Sequence, residues 1–283
     1  MSWDALLEPS AGRRDELAAW FEAQQEFELE RDGDVFNVTY ENAATGVYCL
    51  FFYGEQEEGA EGLSFALNYV RPSFFARESF PVLCRVCSAL DLSVVDQQGD
   101  EAPVRCDPAA LERSWVDGNN ISVRAVTETT GETPPYLERD RAFEWWEYAG
   151  VKPQIEAEFL ASNYDVFVPN VMLVVDHTTN RVVRLVAWTD SIPIVVPSCD
   201  LFVIGRPRKR LLGRRLEQGL APANAVLAVL EPHLTPFDHG LRILRPEAAE
   251  AVRPAFEALE LEPLQPKRYE AVPPDGFVDV SPG

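Results

Sequence analysis

Val35-Phe36-Asn37-Val38-Thr39-Tyr40, Val47-Tyr48-Cys49-Leu50-Phe51-Phe52-Tyr53 and the run Leu63 to Val70 decide the fold. The first and third alternate apolar and polar residues with period two, as half-buried strands do. The second is apolar on both faces, which places it centrally in a sheet. Asp32-Gly33-Asp34 turns the chain into the first strand, and Arg71-Pro72-Ser73 stops the third. Ser73 is positioned to cap a helix over Phe74 to Leu90, which Pro81 is expected to kink or divide. Leu92 to Asp96 then reads as a return strand. The order β-β-β-α-β, with a helix crossing one face of a mixed sheet, predicts an α+β fold.

Working outward, Leu17, Trp20, Phe21, Gln24 and Phe27 recur at helical spacing with Glu16, Glu22, Glu26 and Glu30 between them. This predicts an acidic amphipathic helix over Arg13 to Glu30. Residues 97–135, punctuated by Pro103, Pro108, Gly118-Asn119-Asn120 and Gly131, are the least periodic stretch, with one strand expected over Ile121 to Val126. Glu138 to Leu160 reads as a helix interrupted near Gly150-Val151-Lys152-Pro153. A second α+β half follows: a strand over Asp165 to Asp176, a hairpin turn at His177-Thr178-Thr179-Asn180, and its partner over Arg181 to Trp188. Leu201 to Ile204 adds a strand and Arg206 to Gln218 a helix; Val226 to Leu230, Leu241 to Leu244 and a helix over Pro246 to Leu261 close this half. The expected organisation is an N-terminal half, 1–135, a C-terminal half, 136–261, and a proline-rich extended tail, 262–283, with the halves related as a duplicated β-β-α-β unit.

The chain has 46 acidic and 25 basic residues, a net charge of −21. Against this, Arg206-Pro-Arg-Lys-Arg-Leu-Leu-Gly-Arg-Arg215 holds six bases and no acid, and without it the balance is −27. A field of that sign repels nucleic acid and anionic lipid, so the partners expected are cationic surfaces or neutral small molecules, with a cationic protein the leading choice. The N-terminus lacks the basic and apolar regions of a signal peptide, and no apolar run reaches the ~18 residues of a spanning helix. A soluble cytoplasmic protein is expected. Five irregularly spaced cysteines then read as reduced, mostly buried thiols, including Cys84 and Cys87 of the CxxC pair.

No phosphate-binding loop, GxGxxG, GxSxG or His-Glu-x-x-His pattern is present, and no ligand cluster has metal-binding spacing, so no cofactor and no metal are expected. If the chain were a hydrolase or transferase, its site would be dispersed over His177, His239, Asp190 and Asp200. The aromatic run Glu144-Trp145-Trp146-Glu147-Tyr148 either seals packed layers or offers aromatic surface to a partner. On the predicted basic helix Arg206, Arg210 and Arg214 fall at i, i+4 and i+8, which suits internal ion pairing or self-association with an acidic face of a second copy. The expectation is a non-catalytic acidic binding protein that engages its partner through Glu22, Glu26, Glu55, Glu57, Glu58, Glu61, Trp145 and Trp146. In character, though not in motif, this is similar to bacterial immunity proteins. An adaptor subunit of a larger assembly is the third expectation.

Overall fold

A strand that the alternating runs do not announce comes first: Ser2–Glu8 (β1) inserts between the strands Glu61–Asn68 and Ser93–Asp96 of the first sheet. The computed structural model describes residues 1–55, 61–97, 102–210 and 213–280, with backbone alone at 208–210 and 213–215. It divides into unit 1, Met1–Arg139 with Pro274–Gly283, and unit 2, Asp140–Pro273. The fold is α+β.

Unit 1 contains α1 (Arg14–Glu22), β2 (Phe27–Asp32), β3 (Val35–Asn42), β4 (Val47–Glu55), β5 (Glu61–Asn68), α2 (Phe74–Leu90), β6 (Ser93–Asp96) and α3 (Pro108–Thr130). Its sheet is antiparallel throughout, in the order β2-β3-β4-β5-β1-β6. Period-two alternation puts Trp3, Ala5, Leu7, Phe36, Val38, Cys49, Phe51, Leu63, Phe65 and Leu67 on one buried face. Phe21 of α1 lies 5.2 Å from Phe51, and Phe80 of α2 lies 5.1 Å from Trp3, centroid to centroid, so both helices cover that face. The edge-on geometry of Trp3 and Phe80 is the arrangement ring quadrupoles favour.

Five expectations are corrected here. The first helix stops at Glu22, and Phe27–Asp32 is a strand, because Phe27 and Leu29 pair with Tyr40 and Val38 on the core face. Ile121 to Val126 is not a strand but part of α3. That helix begins at Asp107, whose carboxylate accepts from the Ala109 and Ala110 amides, and ends at Gly131 with φ +72°. Gly118 sits within it because a β-carbon there would lie 2.3 Å from the Tyr69 hydroxyl oxygen, and buried Asn119 accepts from the Val70 amide at 2.6 Å, bracing a residue with φ +59°. Pro81 does not divide α2, which runs unbroken from Phe74 to Leu90, and the Ser73 hydroxyl does not cap it: it donates to Asp279 at 3.0 Å. Finally, Cys84 is not a thiol. It forms a disulfide with Cys106, while Cys49 and Cys87 are buried free thiols whose burial pushes each up to about 12.

Unit 2 begins with α4 (Arg139–Ser162, its first residue still in unit 1), which runs through Gly150 and Pro153 without interruption. Then come β7 (Val171–Asp176), β8 (Arg181–Thr189), β9 (Ile194–Val196), β10 (Leu201–Arg210), β11 (Gly213–Pro222), α5 (Ala223–Leu230), β12 (Leu234–Pro236), β13 (Arg242–Leu244), α6 (Pro246–Ala258) and β14 (Tyr269–Ala271). One sheet has the order β11-β10-β8-β7-β14, with β8 and β10 parallel; a second has the order β12-β13-β9. These orders differ from that of unit 1, so topology lends the duplication no support. The tail contributes β14 to unit 2 and, from Pro274 on, belongs to unit 1, where Phe277 and Val278 are buried. Among the described residues no helix is long and apolar enough to cross a membrane.

The basic segment is the largest departure. The described residues of this segment, 206–210 and 213–218, form no helix; they belong to the paired strands β10 and β11, with Arg206 opposite Glu217. Arg206 is buried, donates from Nε to Glu217 Oε2 at 2.6 Å, and from Nη1 and Nη2 to the Phe256 and Leu259 carbonyls at 2.9 Å each. The Phe256 carbonyl accepts from the Leu259 amide at 3.3 Å as well, so the guanidinium adds a second donor there and supplies the Leu259 carbonyl just past the last turn of α6. A helix would forfeit this buried pairing.

Candidate functional site

The face of the unit 1 sheet opposite its core is built by the other half of each alternation. Leu6, Leu50, Phe52 and Ala66 meet there through the pairings Leu50↔Ala66, Phe52↔Ser64 and Leu6↔Ser64. Leu50 is 41% exposed, and the other three are half-buried. Around this apolar centre the strands place Asp4, Glu8, Glu28, Glu30, Asp32 and Glu41, all but Asp4 exposed. The described strand positions of this face carry no lysine or arginine. Among the described residues Glu28, Glu30 and Asp32, on edge strand β2, enter no ion pair. The charge of the whole chain is concentrated accordingly: unit 1 has 28 acidic and 10 basic residues, net −18, and unit 2 has 18 and 15, net −3.

The acids expected from the sequence lie elsewhere. Glu22 pairs with Arg31 and Glu26 with Arg85, each at 2.8 Å, on the helix side of the sheet. Glu55 and Glu61 face each other at the exposed end of β4 and β5, and Glu57 and Glu58 lie outside the described residues. Trp145 is in the core of unit 2, its indole N–H donating to the Val171 carbonyl at 2.8 Å; Trp146 is half-buried, edge-on to Phe143. Sequence reasoning missed Glu28, Asp32 and Glu41 as a set because they share a face only once residues 27–32 are a strand.

The residues of a dispersed catalytic site are all in unit 2 but have separate partners. His177 Nε2 lies 3.0 Å from Glu270 at the exposed hairpin, and Asp190 accepts from Arg253 at 2.8 Å. Asp200 accepts from the Arg184 amide at 2.8 Å and pairs with Arg141 and Arg184. His239, at φ +59°, lines a cleft of about 590 Å³ with Glu144, Ser198, Cys199 and Arg242. Ser198 there gives its hydroxyl hydrogen to Glu144 at 2.8 Å, and burial pushes the Cys199 thiol up to about 12, so neither is an activated nucleophile. Among the described residues no three His, Cys, Asp or Glu side chains converge as a metal site requires.

Buried charge in unit 2 is organised for stability. Burial pushes the Asp200 carboxyl up, but hydrogen bonds from Arg184, Arg141 and the Arg184 amide outweigh it and leave the group below its ordinary value. Glu144 behaves likewise through Arg184 and Ser198. Asp176 is held well below the carboxylate range, chiefly by Arg268 and also by the Thr178 hydroxyl and amide. Groups that titrate lower when folded stabilise fully above the unfolded carboxyl range, about pH 4, and lose that contribution as pH falls through their folded values. Urea midpoints are therefore expected to fall on acidification below about pH 4, and Asp200→Asn should flatten that dependence while lowering the neutral-pH midpoint. A wild-type midpoint that holds steady or rises in acid would contradict this.

No protein-family model, no curated protein and no solved structure matches the chain.

Proposed function

We propose that the protein is a non-catalytic binding protein that captures a cationic protein partner on the outer face of its unit 1 sheet. The observation that carries this is the face itself: six carboxylates and, at its described strand positions, no base, around an apolar centre of which Leu50 is exposed. An apolar centre within a polar rim is the usual anatomy of a protein interface, and six strands at ~4.8 Å spacing give a face about 24 Å across, enough for a patch of ordinary size. Carboxylates on the rim steer a basic partner and set the rate of encounter, and apolar contact at the centre slows its release. Such a surface suits an inhibitor or immunity-type protein that neutralises a basic enzyme or toxin. The Cys84–Cys106 disulfide favours an oxidising compartment for this encounter over the cytoplasm expected from the sequence.

The test is capture of the partner from the native host, followed by association kinetics of the purified pair over a salt series. The on-rate should fall steeply with salt, and Glu28→Lys, Glu30→Lys and Glu41→Lys together should slow association by about tenfold or more at low salt with unfolding midpoints unchanged. Recovery of nucleic acid, or of a partner whose on-rate ignores salt, would overturn the reading.

A further inference from the structure

Strands β10 and β11 pair from Leu201↔Pro222 to Arg210↔Gly213, but β8 accompanies β10 only as far as Gly205↔Thr189. Beyond that point five residue pairs form a two-stranded ribbon, and at ~3.4 Å per residue it reaches about 17 Å past the end of β8. Its root is held by buried Arg206. Farther out, the register sets Arg208 opposite Arg215 and Lys209 opposite Arg214, and residues 208–215 hold five bases and no acid. A two-stranded ribbon has little stability of its own, and a run of five bases in sequence suits an anionic surface laid against it. Between root and tip, Pro207 and Leu216 stand opposite each other, both exposed, Leu216 at 59%.

We propose that this ribbon docks on the outer face of the unit 1 sheet of a second copy of the chain, its bases meeting the acidic rim and its Pro207–Leu216 pair meeting the Leu6, Leu50 and Phe52 centre. The inference rests on the reading of that face as a binding surface, and it makes self-association a competitor of partner capture. Two features favour a second copy over nucleic acid. A net charge of −21 opposes polyphosphate, and an exposed proline–leucine pair has no counterpart on a phosphate backbone but has one on this face.

The experiment is sedimentation velocity of the full chain, free of other protein, across concentration and salt. Wild type should self-associate at ~50 mM salt and bind itself at least ~10-fold more weakly at ~500 mM. The variant Arg208→Gln, Lys209→Gln, Arg214→Gln, Arg215→Gln should be monomeric with an unchanged thermal midpoint, read on the same sample so that loss of assembly cannot be ascribed to unfolding. Reversing the ribbon (R208E, K209E, R214E, R215E) or the face (E28K, E30K, E41K) should abolish self-association of each chain alone, and mixing the two should restore it. A wild type monomeric under every condition, a Gln variant that still assembles, a mixture that does not, or a ribbon that binds duplex DNA or RNA in place of a second copy would each overturn the proposal. Should self-association fail while the face variants still lose a purified cationic partner, the inference falls and the capture reading stands. Assembly that follows these rules with no such partner found would do the reverse.

Discussion

Replacing Arg184 by alanine is expected to destabilise unit 2 by about 3–5 kcal/mol, the range for breaking a buried ion pair from one side. The Arg184 side chain is 4% exposed and ties three segments of the unit together. Its guanidinium donates to Glu144 at 2.6 Å and to the Arg141 carbonyl at 3.3 Å on α4, and to Asp200 at 3.2 Å just before β10. Truncation leaves Asp200 desolvated with Arg141 as its remaining cation and opens a channel where the arginine stem packed. Denaturant unfolding followed by amide exchange of β8 would read the effect locally, which matters because two units need not unfold in one transition. Arg184→Met, which keeps the stem but not the charge, should be nearly as costly. If it proves neutral or stabilising, the network supplies specificity of packing and little stability.

Loss of the Trp188 indole is expected to be as severe. Trp188 is fully buried on β8, edge-on to Phe256 of α6 at 4.7 Å and within 6.4 Å of Phe202 on β10, and its N–H donates to the Ile192 carbonyl at 2.9 Å. Trp188→Ala removes the ring between sheet and helix and should cost about 3–5 kcal/mol through lost transfer energy and a cavity that a sheet cannot close. Trp188→Phe retains most of the apolar volume but leaves the Ile192 carbonyl without its donor, so a loss of about 1–3 kcal/mol is expected. Thermal melts of the two variants separate these contributions. Equal losses would place the weight on the hydrogen bond, and a small loss in both would mean that α6 repacks onto the sheet.

Much of unit 1 could be read directly because its signals are local. Period-two alternation in β3 and β5, the apolar run of β4 and the helical run Phe74 to Leu90 each depend on residues within one element. The hairpin at residues 176–181 is also local, with Asp176 accepting from the Thr178 amide and Asn180 taking a left-handed φ of +54°. Signals for α3 were present as well, in Asp107-Pro108 at its start and Gly131 at its end. They were outweighed by Gly118-Asn119-Asn120, whose purpose is contact with Tyr69 and Val70 some fifty positions earlier.

What the sequence by itself determined, then, is the α+β class, the antiparallel meander, the overall negative charge and the position of its one basic exception. Only the tertiary structure decided what those charges do. Glu22 and Glu26 look like free acids in sequence but are paired with arginines 9 and 59 positions away, whereas Glu28 and Glu30 reach the open face because pairing with β3 overrides the helical spacing around them. Arginines at spacing four fit a helix as well as a strand. The carbonyls of Phe256 and Leu259, about fifty residues farther along, select the strand by giving Arg206 a buried place to donate. Spacing is a property of neighbours in the chain, but the free energy that chooses between a helix and a ribbon here comes from partners that only folding brings within hydrogen-bonding distance.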